Sequence, residues 1–193
     1  MWHLVANKFK NTDVQQGFTL IEIIAILVII GIGSALATPS LINSRRQDQV
    51  NQAHRRIRSA LVEAQVTANR LSRSCEIQFA STAITGSRII LPSGRVVSCL
   101  AENLRIDDSV VSISKDSPGG SLPNNISYSF QGGTANAQTI WVSRKDFNGN
   151  VIQNTARCIV VSPVGMIRTG IIDSDGNCYN VENDRYDVSV SSP

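Results

Sequence analysis

Few side chains in this sequence are spaced for chemistry, and the most unusual placement belongs to an acid. Glu22 interrupts a stretch that is otherwise apolar from Phe18 to Ala37, and Ile23 to Ala37 carries no charge at all. A carboxylate inside a membrane-length apolar segment costs roughly 2.5–3.5 kcal/mol on insertion scales, so it needs a partner, a function or a position shallow enough to reach the headgroups. Four cysteines, Cys75, Cys99, Cys158 and Cys178, all follow that stretch. An even number in an exported domain suggests two disulfides, for which three pairings exist; the sequential one, Cys75 with Cys99 and Cys158 with Cys178, closes loops of similar length. Zinc is the rival reading, but no two cysteines have knuckle spacing, and His54 is the only histidine beyond the first seventeen residues.

Asp173-Ser174-Asp175-Gly176-Asn177 resembles part of a calcium loop, because Asp173 and Asp175 place oxygen ligands at alternating positions before a glycine. Glu182 arrives too late to be the bidentate ligand such a loop requires, so the favoured reading is an Asp-Gly turn between strands. No cofactor or metal is expected. Catalysis finds equally little: there is no nucleophile elbow and no phosphate-cradling glycine loop. His54, between Ala53 and Arg55 on a helix, is expected to face solvent. The chain does not read as an enzyme.

The elements that must carry these residues follow from composition and its distribution. The 193 residues are 42% hydrophobic and 17% charged, with a formal net charge of +3. That is room for one ordinary domain and an appendage, and it excludes wholesale disorder. So small a net charge does not by itself suggest a nucleic-acid binder. The appendage is the apolar run: the twenty residues Phe18 to Ala37 are long enough to span a bilayer as a helix. Seventeen mostly polar residues precede it, with Lys8 and Lys10 against Asp13. A secretory signal peptide cut near Ala35 to Ala37 and a retained signal anchor held by Lys8 and Lys10 are the ordinary readings. Neither explains Glu22.

The string Gly17-Phe18-Thr19-Leu20-Ile21-Glu22 resembles the type IV prepilin processing site, with a short polar basic leader before it and an unbroken apolar helix after it. The resemblance implies that prepilin peptidase cuts between Gly17 and Phe18, that the new amine on Phe18 is methylated, and that the helix is retained. It also implies a partner for Glu22, the terminal amine of a neighbouring subunit, so that two charges expensive in lipid or in a filament core offset one another. Pro39, 21 residues after Phe18, falls where the family's first helix bends, as a proline inside a helix removes one backbone bond.

Beyond Pro39, Val50, Ala53, Ile57, Ala60, Leu61, Ala64, Ala68 and Leu71 recur at spacings of three and four, which predicts an amphipathic helix packed on a sheet. Its polar surface is arginine-rich: Arg45, Arg46, Arg55, Arg56, Arg58, Arg70 and Arg73 oppose only Asp48 and Glu63, a local net of +5. A solvated face near anionic headgroups, or one paired with acids of neighbouring subunits, is the plain reading; nucleic-acid contact is the sharper one. From Cys75 onward, short Ile- and Val-rich runs predict strands at Glu76 to Ala80, Arg88 to Leu91, Val96 to Leu100, Val110 to Ser114, Ile126 to Phe130, Thr139 to Ser143, Cys158 to Ser162, Met166 to Thr169 and Tyr186 to Val190. Pro92-Ser93-Gly94 and Asn148-Gly149 are hairpin turns, and Ser117 to Asn125 is a loop. Strands in succession without intervening helices predict a mainly antiparallel sheet. The expected fold is α+β and pilin-like, divided as leader 1–17, transmembrane or filament-core helix 18–38, amphipathic helix 39–73 and periplasmic β-rich domain 74–193.

A second resemblance is carried by Arg58-Ser59-Ala60-Leu61 through Asn69-Arg70-Leu71-Ser72, and by Ile159-Val160-Val161-Ser162-Pro163-Val164-Gly165-Met166-Ile167-Arg168. These look like the GspH/FimT family of minor pilins and pseudopilins, some of which bind DNA through Gly-Arg-x-Arg. Here that string reads Gly165-Met166-Ile167-Arg168, with methionine where the first arginine would be. Arg168, Arg157 and Lys145 make a thin patch for a duplex that must be held by several cationic contacts. The tail adds Asp173, Asp175, Glu182, Asp184 and Asp187 against Arg185. The expectation is therefore a single-pass inner-membrane protein that joins a type IV pilus or type II secretion pseudopilus, with other pilins, the membrane and the peptidase as partners. A pilus-borne DNA receptor for transformation is the alternative.

Overall fold

The computed structural model describes residues 18–173 and 175–182. One long helix, α1 (Leu20–Leu71), is followed by eleven strands among the described residues: β1 (Cys75–Phe79), β2 (Ala83–Gly86), β3 (Arg88–Ile90), β4 (Val96–Ser98), β5 (Leu104–Arg105), β6 (Val111–Lys115), β7 (Ile126–Tyr128), β8 (Gln138–Lys145), β9 (Val151–Val161), β10 (Ile167–Ile172) and β11 (Cys178–Glu182). The chain divides into two compact units between Ile42 and Asn43.

In the first unit the large apolar side chains of α1, from Leu20 to Ile32, are exposed around the helix. A helix apolar on every side has no inward face of its own and can be covered only by surroundings that are apolar all round. Ser34 avoids an unpaired hydroxyl by donating to the Ile30 carbonyl at 2.7 Å.

The second unit is built on the remainder of α1. Val50, Ile57, Ala60, Leu61, Ala64 and Ala68 are buried, and Ala53 and Leu71 pack against the same core from partly covered positions. The three-four periodicity of the sequence is thus the packed stripe. It meets a five-stranded sheet of order β11-β10-β9-β8-β6 and a four-stranded sheet of order β5-β2-β1-β7, with β3 and β4 as a separate hairpin. Every pairing is antiparallel. Alternation along β8 and β9 decides what faces the helix: Ile140, Val142, Ile159 and Val161 join the main core, whereas Trp141, Ala156 and Cys158 form a second, smaller cluster with Ile172 and Cys178.

Helix α1 ends at Ser72, whose φ of 50° is left-handed. The Arg73 amide donates to the Ala68 carbonyl and the Ser72 amide to the Asn69 carbonyl, both at 3.2 Å, so the turn closes the helix in the Schellman manner without a glycine. Cys75 then opens β1 and bonds to Cys99, while Cys158 of β9 bonds to Cys178 of β11. The sequential pairing is the one formed.

Several elements depart from the sequence reading. The expectation that His54 faces solvent is wrong: it is buried, and its Nε2 lies 3.2 Å from the Cys158 carbonyl. A carbonyl only accepts, so Nε2 carries the hydrogen. Strand β9 begins at Val151 and not at Cys158, because the polar run Gln153-Asn154-Thr155 lies in a hairpin arm whose exposed residues lack apolar alternation. Strands β2 and β5 were not anticipated, being four and two residues long. Strand β11 occupies Cys178–Glu182, where charge alone suggested a tail. The strand expected at Tyr186 to Val190 lies outside the described residues, as do Asp184, Arg185 and Asp187.

Candidate functional site

The local structure around Phe18 is fixed by residues of the string Gly17 to Glu22 itself. Thr19 caps α1: its carbonyl accepts from the Glu22 and Ile23 amides at 3.1 and 3.2 Å, and its Oγ1 accepts from the Glu22 amide at 3.4 Å. Thr-x-x-Glu is the capping-box spacing, and the threonine half of that box is formed. Glu22 thereby lies in the first helical turn, where unpaired amides make the electrostatic environment favourable to a carboxylate. Phe18, immediately before the cap, is 72% exposed, and Glu22 is exposed as well. The capping role of Thr19 escaped the sequence reading although its signal, threonine three residues before an acid at the head of an apolar run, was present.

Gly17 lies outside the described residues, and so do the side chains at 35–41, Pro39 among them. The backbone of α1 is helical through Pro39. Among the described residues no helix is long and apolar enough to cross a membrane. The helical positions with described side chains at this end run from Leu20 to Ser34, about 22 Å at 1.5 Å per residue against a hydrocarbon core of about 30 Å.

The basic residues considered for DNA do not converge. Arg157 points toward α1, where its Nε donates to Asn51 Oδ1 at 2.7 Å. Arg168 pairs with Val160 in the β9–β10 ladder, while Arg157 pairs with Ile171, so strand alternation puts the two arginines on opposite faces. Arg168 Nε contacts Met166 Sδ at 3.0 Å. Lys145, at the far end of β8, donates to the Asp108 carbonyl at 2.6 Å.

Asp173 and Asp175 lie at the β10–β11 turn. Asp173 Oδ1 accepts from the Asp175 and Asn177 amides at 3.0 and 2.8 Å, and the Gly176 amide donates to the Asp173 carbonyl. The carboxylate is occupied in shaping the turn. Among the described residues no group of three or more His, Cys, Asp or Glu is arranged to hold a metal ion. The groove between α1 and the chain that enters β5, about 430 Å³, is lined by Arg56, Ser59, Glu63, Glu102 and Arg105 among others.

The two segments of the second resemblance meet in space. Gln65 of α1 donates from Nε2 to the carbonyls of Gly132 and Gly165, each at 2.9 Å. Gly165 closes the β9–β10 turn, its amide donating to the Ser162 carbonyl at 2.8 Å, and Pro163 accepts from the Thr134 amide at 2.9 Å. Gly165 has φ +79°, and a Cβ there would collide with the Gly132 carbonyl. Sequence reasoning singled out the Ser162-Pro163-Val164-Gly165 run without finding Gln65, since a glutamine on a helix gives no sign of which distant carbonyls it will meet.

Comparison with known proteins adds the following. Residues 13–38 match the family described as the prokaryotic N-terminal methylation motif. At its N-terminus the chain therefore carries a prokaryotic methylation motif, and the match ends at residue 38. No curated protein matches it. Two crystal structures of the type IV minor pilin FimU of Pseudomonas aeruginosa (strain PAO1) are similar to it. The P21 form has 13% identity and a TM-score of 0.46, covering 63% of this chain and 87% of that chain; the P65 form has 13% and 0.45, covering 68% and 98%.

Proposed function

We propose that this chain is a minor pilin or pseudopilin, a non-enzymatic structural subunit of a type IV pilus or type II secretion pseudopilus. The observation that carries the reading is the methylation motif at residues 13–38, which frames Gly17 and Phe18 directly ahead of an apolar helix with no inward face and Glu22 in its first turn. Prepilin peptidase removes residues 1–17 and methylates Phe18. The apolar residues 18–38 then hold the subunit in the inner membrane as a single pass, with the domain in the oxidising compartment outside, a placement that the two cysteine pairs support.

Assembly exchanges lipid for neighbouring helices. Lipid tails are as apolar as the side chains they cover, so burial alone drives nothing, and packing together with a charge pair must supply specificity. Glu22 provides that pair with the Phe18 amine of an adjacent subunit, and Pro39 interrupts the backbone bonding of α1 where the filament-core segment ends. DNA uptake gains no support from the separated Arg157, Arg168 and Lys145.

Recovery of sheared filaments and membranes from cells making wild-type or Glu22→Ala chain tests this reading. Wild-type chain is expected in the filament fraction, and the variant is expected to remain in the membrane fraction with normal insertion. Incorporation of the Glu22→Ala chain at wild-type levels would refute the pairing role.

A further inference from the structure

The beginning of the second unit carries a basic and aromatic patch that filament assembly through the apolar helix does not employ. The Arg46 guanidinium lies over the Phe147 ring, 3.7 Å from its centroid, and donates from Nη1 to the Lys145 carbonyl at 3.3 Å. Arg144 donates from Nη1 to the Asn43 carbonyl at 3.4 Å, and its Nε is buried without an acceptor. Lys145 reaches only the Asp108 carbonyl. Arg45, next to Arg46, is exposed. None of these four cations makes a direct ion pair among the described residues.

Two of the acids nearby are engaged in local hydrogen bonds. Asp146 accepts from the Asn148 and Asn150 amides, and Asp107 from the Ser109 amide and hydroxyl, while Arg46 acts on Asp107 only at longer range. Phe147 projects from the β8–β9 turn with 73% of its surface exposed. An aromatic ring in water beside guanidinium groups that form no direct ion pair is the composition of a membrane-interface anchor. The patch is also tethered: Asn43 lies six residues after Ala37, the last of the apolar run, which is at most about 20 Å of extended chain.

We propose that this patch docks the folded unit on anionic phospholipid headgroups, with Phe147 entering the interface and Arg45, Arg46 and Arg144 meeting phosphates. The proposal rests on the membrane-anchored reading above and goes beyond it by assigning the domain its own lipid contact. Such a contact would hold an unassembled subunit against the bilayer surface and would have to be released on entry into a filament.

The test uses full-length Phe147→Trp chain reconstituted into vesicles whose acyl chains carry bromine, a contact quencher of indole, made either of phosphatidylcholine alone or with phosphatidylglycerol added. Flotation reports anchoring, and quenching of the introduced indole, measured against the wild-type background of Trp2 and Trp141, reports docking. Quenching is expected only with phosphatidylglycerol. It should vanish at about 0.5 M salt, where the Debye length is below about 5 Å. Adding Arg45→Gln, a change on an exposed side chain, should lower the docked-to-undocked ratio about fivefold. Chain that floats with both vesicles while the indole stays unquenched, or is quenched equally in both, would overturn the docking and leave the anchor standing. Chain that floats with neither would overturn both readings.

Discussion

Gly165 shows how much a single residue can decide. Its left-handed backbone and the Gly132 carbonyl beside it leave no room for a Cβ, and the turn it closes is held by Gln65. Gly165→Ala is expected to destabilise the folded domain by about 2–3 kcal/mol, read by chemical denaturation. His54 makes a related point. His54→Ala removes the Nε2 donor from the buried Cys158 carbonyl and leaves a small cavity, which predicts a loss of about 2 kcal/mol in the same measurement. The position was legible in the sequence: His54 stands four residues after Val50 and three before Ile57, both on the buried stripe, so spacing placed it inward even though residue type argued for solvent. Glu22 was legible for the opposite reason, since a carboxylate in an apolar run is conspicuous wherever it occurs.

At the scale of elements, the hairpins and their crosslinks carry the predictions. The Cys158–Cys178 disulfide spans β9 and β11 across the intervening β10, and Gly170 is the residue it crosses. A Cβ on Gly170 would sit 2.6 Å from the Tyr179 carbonyl oxygen and 3.0 and 3.1 Å from the two sulfurs. Gly170→Ala should therefore cost about 1–3 kcal/mol, as overpacking does. Removing the disulfide with Cys158→Ala and Cys178→Ala should cost about 3 kcal/mol, the entropy of freeing a loop of this length.

The β8–β9 turn depends on pH. Hydrogen bonds from Asn150, first from its side chain and then from its amide, hold the Asp146 carboxyl below the usual carboxylate range. A depressed folded-state pKa contributes stability above the unfolded value of about 3.9 and loses it as pH falls through the folded value. Wild type should accordingly lose more thermal stability between about pH 4 and pH 2 than Asp146→Asn, which has no charge to lose. Among the strands, those with clean Ile and Val runs, such as Thr139 to Ser143, were legible. Strands β2 and β5 were not, because two to four residues hold too little periodicity, and the first half of β9 was hidden because its exposed residues are polar where the hairpin projects.

For the whole molecule, the sequence and the structure agree on a division of labour. One segment is apolar on every side and cannot be satisfied within the monomer, and the other closes its own core with a helix stripe, antiparallel sheets and two disulfides. The amphipathic and apolar halves of α1 were both readable, since periodicity at three and four marks one and its absence marks the other. The contacts joining helix to loops were unreadable, as they connect residues such as Gln65 and Gly165 that are a hundred positions apart. Removal of residues 1–17 would take Lys8, Lys10 and Asp13 with it and lower the net charge from +3 to +2, 16 basic against 14 acidic residues. That small sum conceals the arginine-rich stretch from residue 45 to 73, which alone carries a net of +5. The central claim, that this chain is a prepilin matured at Gly17 and Phe18, is tested most directly by the mass of the protein recovered from membranes. The account predicts a chain beginning at Phe18 and carrying one added methyl group, and a chain that begins at Met1, or one cut after the apolar run at Thr38, would contradict it.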